Sequence, residues 1–272
     1  MKLGINQWAF PAGTPVQRAM AAAREAGFAA FELCVGLEDT VLLDSSEKQL
    51  QDIRRHGDQL EIEISSVATA LGWQFPLTSA DPRVQAEAKR ILLRLIEMCQ
   101  VLDAGTLLVM PGVVTPDIPY DRAIENSLNA LLDVLPAAEE ARVTLALENV
   151  WNRFLLSPVE MRDFIDQFQS EFVGAYLDVG NILAYGYPEH WVRILGKRIR
   201  AIHAKDYRIA AGTEAGFVML LEGDVDWPAV MRALEEAGYS GPLIAEVGPY
   251  RHDGSSALRH AHTALQAIRN LV

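Results

Sequence analysis

The sequence lacks the features that mark membrane and secreted proteins. No apolar run is long enough to cross a lipid bilayer, and the N-terminal MKLGINQWAFP has neither the apolar core nor the cleavage site of a signal peptide. The two cysteines, Cys34 and Cys99, lie in apolar runs without CxxC or zinc-site spacing. We therefore expect a soluble, cytoplasmic protein whose thiols are free and buried.

Basic residues are also scarce relative to acidic ones. The chain has 24 Lys and Arg against 36 Asp and Glu, which gives a net charge of −12 and a pI near 5.0. A surface of this sign repels polyanions, so we expect neither nucleic acid nor a membrane as a partner. The 272 residues, half of them hydrophobic, suit one large α/β domain or two small ones.

Short aliphatic runs alternate along the chain with longer amphipathic segments. The runs predict eight strands, at Lys2–Asn6, Phe28–Leu33, Glu61–Val67, Thr106–Met110, Val143–Glu148, Val173–Asp178, Ile199–Ala204 and Leu243–Glu246. Eight helices are predicted between and after these strands. Three of them begin with a capping side chain before a proline, at Thr14, Asp81 and Ser157. Three end in a glycine just before a strand, at Gly27, Gly105 and Gly238.

This alternation predicts a single (β/α)8 TIM barrel over residues 1–272, because no Pro/Ser-rich linker divides the chain. A doubly wound open sheet is the competing fold. The even strand count argues against it, as does the absence of a GxGxxG or P-loop motif after an early strand.

Four consecutive strands in the second half of the chain end in a side chain that can bind a metal. These residues are Glu148, Asp178, His203 and Glu246. Because the carboxyl ends of barrel strands meet at one face, we expect the four to share a divalent ion. A cation would also offset the cost of a buried carboxylate at Asp178. The alternative is a coincidence of helix caps and ion pairs.

The ligand set indicates which ion this would be. Three carboxylates and one imidazole, without a thiolate, favour a hard or borderline cation. We expect Mn²⁺ first, with Mg²⁺, Co²⁺ or Zn²⁺ as the alternatives.

Four motifs carry a resemblance to a known family. LENV at 147–150, LDVGN at 177–181, HAKD at 203–206 and AEVG at 245–248 resemble the sugar phosphate isomerase/epimerase family, which has a xylose isomerase-like barrel. The resemblance covers essentially the whole chain and implies that Glu148, Asp178, His203 and Glu246 bind one divalent metal. It also implies a small-molecule substrate, a sugar or sugar phosphate, and a homo-oligomeric assembly.

The implied reaction is proton transfer at a carbon next to a ketone, through an enediolate that the metal stabilises. In the ketose 3-epimerase branch, two metal-bound glutamates act from either side of the substrate, and by resemblance these are Glu148 and Glu246. The alternative is that both residues are ligands only and that the base lies elsewhere. An aldose–ketose isomerase or a dehydratase on the same metal is an alternative, as is a non-catalytic metabolite-binding barrel.

Three residues are expected to bind the substrate. Asn181 either contacts a sugar hydroxyl or caps the helix after strand six. Lys205 either holds a hydroxyl or phosphate or balances nearby carboxylates. Arg208 resembles the anion- or hydroxyl-binding arginine of relatives, or is a solvated loop residue. Trp8 and Trp73 follow strands one and three and either form part of the pocket wall or, as is more frequent for tryptophan, pack against apolar residues.

Two features weigh against particular members of the family. The stretch WNRF at 151–154 resembles the NRF stretch of free-ketose epimerases, which continue with a substrate-binding Glu where this chain has Leu155 and Leu156. The related apurinic endonucleases need histidines at earlier strand ends, whereas strands two and three end in Glu32-Leu33-Cys34 and Ser65-Ser66-Val67. DNA cleavage is therefore not expected.

Overall fold

Eight parallel strands close into a barrel in the computed structural model, which describes residues 1–271. The described chain has ten strands, eight in the barrel and two outside it. In chain order they are β1 (Leu3–Asn6), β2 (Ala30–Cys34), β3 (Glu63–Ala68), β4 (Thr106–Val109), β5 (Thr144–Glu148), β6 (Val173–Asp178), β7 (Ile199–Ala204), β8 (Asp206–Tyr207), β9 (Phe217–Val218) and β10 (Leu243–Ala245). The barrel order is β1-β10-β7-β6-β5-β4-β3-β2, while β8 and β9 form a separate antiparallel hairpin.

Helices connect successive barrel strands. They are α1 (Val16–Ala26), α2 (Glu47–Leu60), α3 (Leu71–Gln74), α4 (Pro82–Leu102), α5 (Tyr120–Ala141), α6 (Pro158–Asp166), α7 (Val179–Ile182), α8 (Pro188–Leu195), α9 (Trp227–Glu236) and α10 (Gly254–Arg269). None of these helices, within residues 1–271, combines the length and apolarity needed to cross a membrane.

The strands are apolar on both faces because helices cover the barrel outside and side chains fill it inside. A small cluster made of Cys34, Ala68, Leu108, Ala146, Tyr176 and Ala201 fills the interior, and a much larger one lies between strands and helices. Successive strand residues point to opposite faces. Glu148, Asp178 and His203 each lie two residues after a member of the interior cluster, so they share its inward direction.

The predicted (β/α)8 barrel is confirmed, and its closed sheet excludes the doubly wound alternative. Strand bounds agree with the predicted ones to within about two residues. Ten α-helices lie within the described chain rather than eight, because short helices α3 and α7 interrupt two connections at the carboxyl end of the barrel. The β8–β9 hairpin was not predicted, since strands of two residues leave no periodic pattern.

Two predicted helix boundaries are wrong in detail. Thr14 does not cap α1: Pro15 occupies the cap position, and the Thr14 hydroxyl donates to the Pro11 carbonyl at 2.6 Å. Helix α4 ends before Gly105, because Asp103 itself takes the left-handed conformation with φ of 60°. The predicted cap at Asp81, by contrast, is confirmed, and its carboxylate accepts from the Arg83 N–H at 2.9 Å.

Candidate metal centre

The four strand-end residues meet at the carboxyl end of the barrel. Glu148, Asp178, His203 and Glu246 each offer one ligand atom, and these atoms all lie within 4.8 Å of one another. Strand pairing explains the convergence in part, because Asp178 and His203 are partners in the β6–β7 register. Glu246 follows directly after β10, which pairs with β7. One ion can therefore contact all four residues.

Two carboxylate oxygens of the cluster lack a well-aligned donor. Asp178 Oδ2 and Glu246 Oε2 are buried and make no hydrogen bond of acceptable geometry within residues 1–271, although the Lys205 ammonium lies 3.5 Å from the first and His203 Nδ1 lies 2.9 Å from the second. A buried acceptor without a partner costs free energy, and the cost is greater when it is charged. The donor set and these two oxygens fit a divalent cation, which would satisfy both at once.

His203 is oriented by carboxylates on both sides of its ring. Its Nε2 lies 2.6 Å from Glu32 Oε1, while its Nδ1 lies 2.9 Å from Glu246 Oε2 and 3.4 Å from Glu148 Oε1. The side chain is fully buried. The Nδ1 atom is thus the one that faces the other ligand atoms.

Burial and neighbouring charges shift the pKa values of the three carboxylates in different directions. Burial raises the pKa of Asp178 to about 7, although the nearby Lys205 ammonium opposes this shift. Burial also raises the pKa of Glu148. For Glu246, burial is outweighed by the charges of Lys205 and His203, which hold its pKa well below the usual range. A bound divalent cation would favour the ionised form of all three carboxylates.

Asn149 holds Asp178 in position from the neighbouring strand. Its side-chain oxygen accepts from the Asp178 N–H at 2.9 Å, and its side-chain nitrogen donates to the Asp178 carbonyl at 2.8 Å. The Oδ1 atom of Asp178 accepts from the Asn181 N–H at 2.8 Å and so caps α7. These contacts leave only Oδ2 of Asp178 directed at the cluster.

Lys205 lies between the cluster and an aromatic wall. Its ammonium is 3.0 Å from Glu246 Oε1 and 3.5 Å from Asp178 Oδ2. It also lies 4.3 Å above the centre of the Phe217 ring, on the β8–β9 hairpin. Lys205 therefore contacts two carboxylates of the cluster and lines the cavity beside it.

A cavity of about 280 Å³ opens directly over the cluster. Its lining includes Glu148, Glu246, Asn181 and Lys205, and its walls include Trp8, Trp73, Trp151 and Phe217. An adjoining cavity of about 460 Å³ shares Trp8, Lys205, Phe217 and Glu246 with it. Trp8 and Trp73, the two candidates for a pocket wall, both line this cavity. Aromatic faces beside polar groups suit the apolar and hydroxyl faces of a sugar.

The two other predicted substrate residues differ in position. Asn181 lines the cavity, and its side-chain nitrogen donates to the Asn149 carbonyl at 3.1 Å. It does not cap the helix after β6, because Asp178 does so. Arg208 is exposed and donates to the Glu222 carbonyl at 3.0 Å, which directs its guanidinium outside the lining of both cavities.

Asp206 anchors the chain segment that forms one side of the cavity. This fully buried carboxylate accepts hydrogen bonds from three backbone N–H groups and from the Trp227 indole, at 2.9 to 3.3 Å. The backbone donors belong to Tyr207, Leu221 and Val225. A single side chain thereby ties together both ends of the β8–β9 hairpin, which carries Phe217 to the cavity.

Glu32 is the residue of this region that the sequence analysis missed. The four predicted ligands all lie at strand ends in the second half of the chain, whereas Glu32 lies within the second strand. Glu32 lies two residues before the end of β2, is fully buried and contacts His203. A charged residue inside an otherwise apolar predicted strand, FAAFEL at 28–33, was the signal that marked it.

Comparison with known proteins places the chain in a family. The sequence profile described as the xylose isomerase-like TIM barrel matches residues 20–270. This protein therefore belongs to the xylose isomerase-like TIM barrel family.

Individual relatives share much of the chain. The chain is 26% identical over 252 residues to L-ribulose-5-phosphate 3-epimerase of Salmonella heidelberg, covering 90% of this chain and 86% of the relative. Its fold is similar to that of D-psicose 3-epimerase from Clostridium cellulolyticum H10, with a TM-score of 0.85, 18% identity and coverage of 100% and 99% of the two chains. It is also similar to the IolI protein with a bound zinc atom, with a TM-score of 0.84, 20% identity and coverage of 99% and 98%.

Proposed function

We propose that this protein is a metal-dependent sugar epimerase that inverts C3 of a ketose or ketose phosphate. The observation that carries the proposal is that Glu148 and Glu246, both lining one cavity, lie within reach of a common ion. The epimerase names of its relatives support the reaction type.

Glu148, Asp178, His203 and Glu246 are the proposed ligands of a divalent ion, with Mn²⁺ the first candidate because oxygen donors predominate. The zinc atom bound by the similar IolI protein keeps Zn²⁺ among the candidates. When bound, the ion would supply Lewis-acid stabilisation of the negative charge that develops on the ketone oxygen.

Glu148 and Glu246 are the proposed proton carriers. They come from strands β5 and β10, which β6 and β7 separate in the barrel, so their carboxylates reach the cavity from different directions. Inversion requires that one group removes the C3 proton and the other delivers a proton to the opposite face.

Lys205 and Asn181 are the proposed hydroxyl-binding residues, since both line the cavity beside the ligands. The aromatic walls would hold the apolar face of the sugar. Arg208 would bind substrate only if its side chain left the Glu222 carbonyl. Both thiols are free and buried, which supports a reducing compartment such as the cytoplasm.

The test is deuterium exchange followed by NMR. The protein is incubated with Mn²⁺ and a panel of ketoses and ketose phosphates in D₂O. We expect solvent deuterium at C3 together with a new diastereomer. Exchange at C1 or C2 with an aldose product would identify an isomerase instead. No exchange in any sugar, with metal demonstrably bound, would contradict catalysis of this class and favour a binding protein.

The matched control is Asp178→Asn, which keeps both glutamates but removes one carboxylate from the proposed ligand set. We expect this variant to lose exchange at C3. Exchange at the wild-type rate would show that the reaction does not depend on the ion.

A further inference from the structure

Glu32 lies at the centre of a hydrogen-bond network inside the barrel, below the four ligands. Its Oε1 accepts from Asn6 Nδ2 at 2.5 Å and from His203 Nε2 at 2.6 Å. Its Oε2 accepts from the Ser66 hydroxyl at 2.7 Å and from the Tyr176 hydroxyl at 2.5 Å. The four donors come from β1, β3, β6 and β7. A buried carboxylate with this many donors is held rigidly and needs no water.

The strand pairing departs from regularity at this network. The β2–β3 register shifts between Phe31 and Glu32, and the β6–β7 register shifts between Ala175 and Tyr176. Each irregularity therefore falls immediately before a residue of the network. Bulges in strands re-aim the side chain that follows and occur often beside active sites. In register, Glu32 lies opposite Asn6 on one side and Ser66 on the other.

The network determines which ring nitrogen of His203 carries a proton. The Asn6 side-chain oxygen accepts from the Trp8 N–H at 2.6 Å, so the Asn6 amide nitrogen is the atom that faces Glu32. Glu32 therefore accepts from all four partners, and His203 must present an N–H at Nε2. Nδ1 faces Glu148 and Glu246, and a bound metal ion would take the place of any proton on Nδ1 and use its lone pair.

We propose that Glu32 is a positioning residue that holds His203 in the Nε2–H tautomer and directs Nδ1 at the metal. Glu32 is fully buried and outside the lining of both cavities, so it acts through His203 and not on the substrate. Carboxylates that hold a ligating histidine in this way typically change metal affinity by about 10- to 100-fold. The inference rests on the metal site of the proposed function but not on the sugar or the reaction.

The test is the affinity for Mn²⁺, measured by calorimetry or by competition with a chelator. Glu32→Gln keeps the shape of the side chain and removes its charge, and we expect Mn²⁺ binding to weaken by about 10- to 100-fold. Tyr176→Phe is the matched control, since it removes one donor to Glu32 but leaves the Glu32–His203 contact. We expect a much smaller loss in this control. Equal affinity in wild-type protein and Glu32→Gln would overturn the proposal.

A second measurement uses the wild-type protein and stays decisive even if Glu32→Gln fails to fold. Long-range ¹H–¹⁵N NMR of the imidazole, with diamagnetic Zn²⁺ or Mg²⁺ bound, reports which nitrogen carries the proton. We expect a proton on Nε2 of His203 and the metal-induced shift on Nδ1. The opposite assignment would refute the role of Glu32. Wild-type protein that binds none of these ions would instead refute the metal site of the proposed function.

Discussion

The Lys205 ammonium lies 3.0 Å from Glu246 Oε1, in the wall of the cavity that the proposed substrate would occupy. The contact joins the only cation among the lining residues of that cavity, within the described chain, to a proposed proton carrier. Lys205 therefore adds positive charge to the ligand cluster and offers a charged donor to an oxygen atom of a substrate bound in the cavity.

We expect Lys205→Met to lower kcat/KM by about 100-fold or more, because a charged donor near a developing negative charge typically contributes this much. Mn²⁺ affinity should be unchanged or tighter, since the variant removes a positive charge beside the ligands. Steady-state kinetics and calorimetry check the two quantities separately. Weaker metal binding with normal turnover would show that Lys205 serves only the cluster.

Glu246→Gln should abolish epimerisation while leaving the fold intact, with a loss of about 100- to 10,000-fold typical of a missing general acid or base. Glu148 remains in this variant, so one C3 epimer should still exchange its proton with solvent without inversion. Glu148→Gln should show the same loss for the other epimer. Deuterium incorporation read by NMR distinguishes these outcomes, and full activity in Glu246→Gln would remove that residue from the catalytic roles.

Metal removal should destabilise the protein. Mn²⁺ at 100 times its Kd would stabilise the folded state by about 2.7 kcal/mol, provided that it does not bind the unfolded chain. For a chain of this size that corresponds to a rise in Tm of roughly 5 to 10 °C. Thermal unfolding with and without a chelator checks this. Asp178→Asn should show a much smaller response, and an equal response would place the ion elsewhere.

Asp206→Asn should lower the free energy of unfolding by about 2 to 3 kcal/mol. The buried carboxylate accepts hydrogen bonds through both oxygens, whereas the NH₂ group of asparagine cannot accept and would leave N–H groups without an acceptor. The hairpin that carries Phe217 would loosen, so KM should rise while Mn²⁺ affinity stays constant. Asp224→Asn is the control, since this exposed carboxylate accepts a single hydrogen bond within residues 1–271, from the Ile209 N–H at 2.7 Å. Equal effects of the two substitutions would argue against an anchoring role for Asp206.

His262 should make stability depend on pH. Its ring in α10 packs edge-on against Phe28, with ring centres 5.2 Å apart, and burial followed by the charge of Arg269 lowers its pKa below the usual 6.5. The neutral ring is favoured in the folded state, so the contribution to stability is present above pH 6.5 and declines as the pH falls below it. Tm measured between pH 7.5 and 5.5 should fall less in His262→Gln than in wild-type protein.

The sequence predicted the four ligands because two regularities locate them. Side chains alternate between the two faces of a strand, so the position of a residue along the strand determines which face it lies on. The barrel brings the carboxyl ends of all its strands together. The prediction of these four ligands therefore required no knowledge of individual contacts. They are Glu148, Asp178, His203 and Glu246.

The partners of Glu32 could not be obtained in this way. Tyr176 lies 144 residues further along the chain, and its hydroxyl reaches Glu32 only across the closed barrel. The register shifts that precede both residues leave no trace in the alternation of apolar residues. The direction of the Arg208 side chain could not be predicted for a similar reason, because it depends on a hairpin whose two-residue strands carry no periodic pattern.

Because Asp206 anchors the hairpin, the cavity wall and the metal ligands lie on separate parts of the chain. The metal ligands are carried by barrel strands, whereas residues 207–225 form a loop fastened at both ends by one carboxylate. Such a segment can be exchanged as a cassette, provided that its replacement keeps the N–H groups that bind Asp206. Grafting loops of different length and charge between the same anchors would therefore offer a direct route to altered sugar selectivity on an unchanged scaffold.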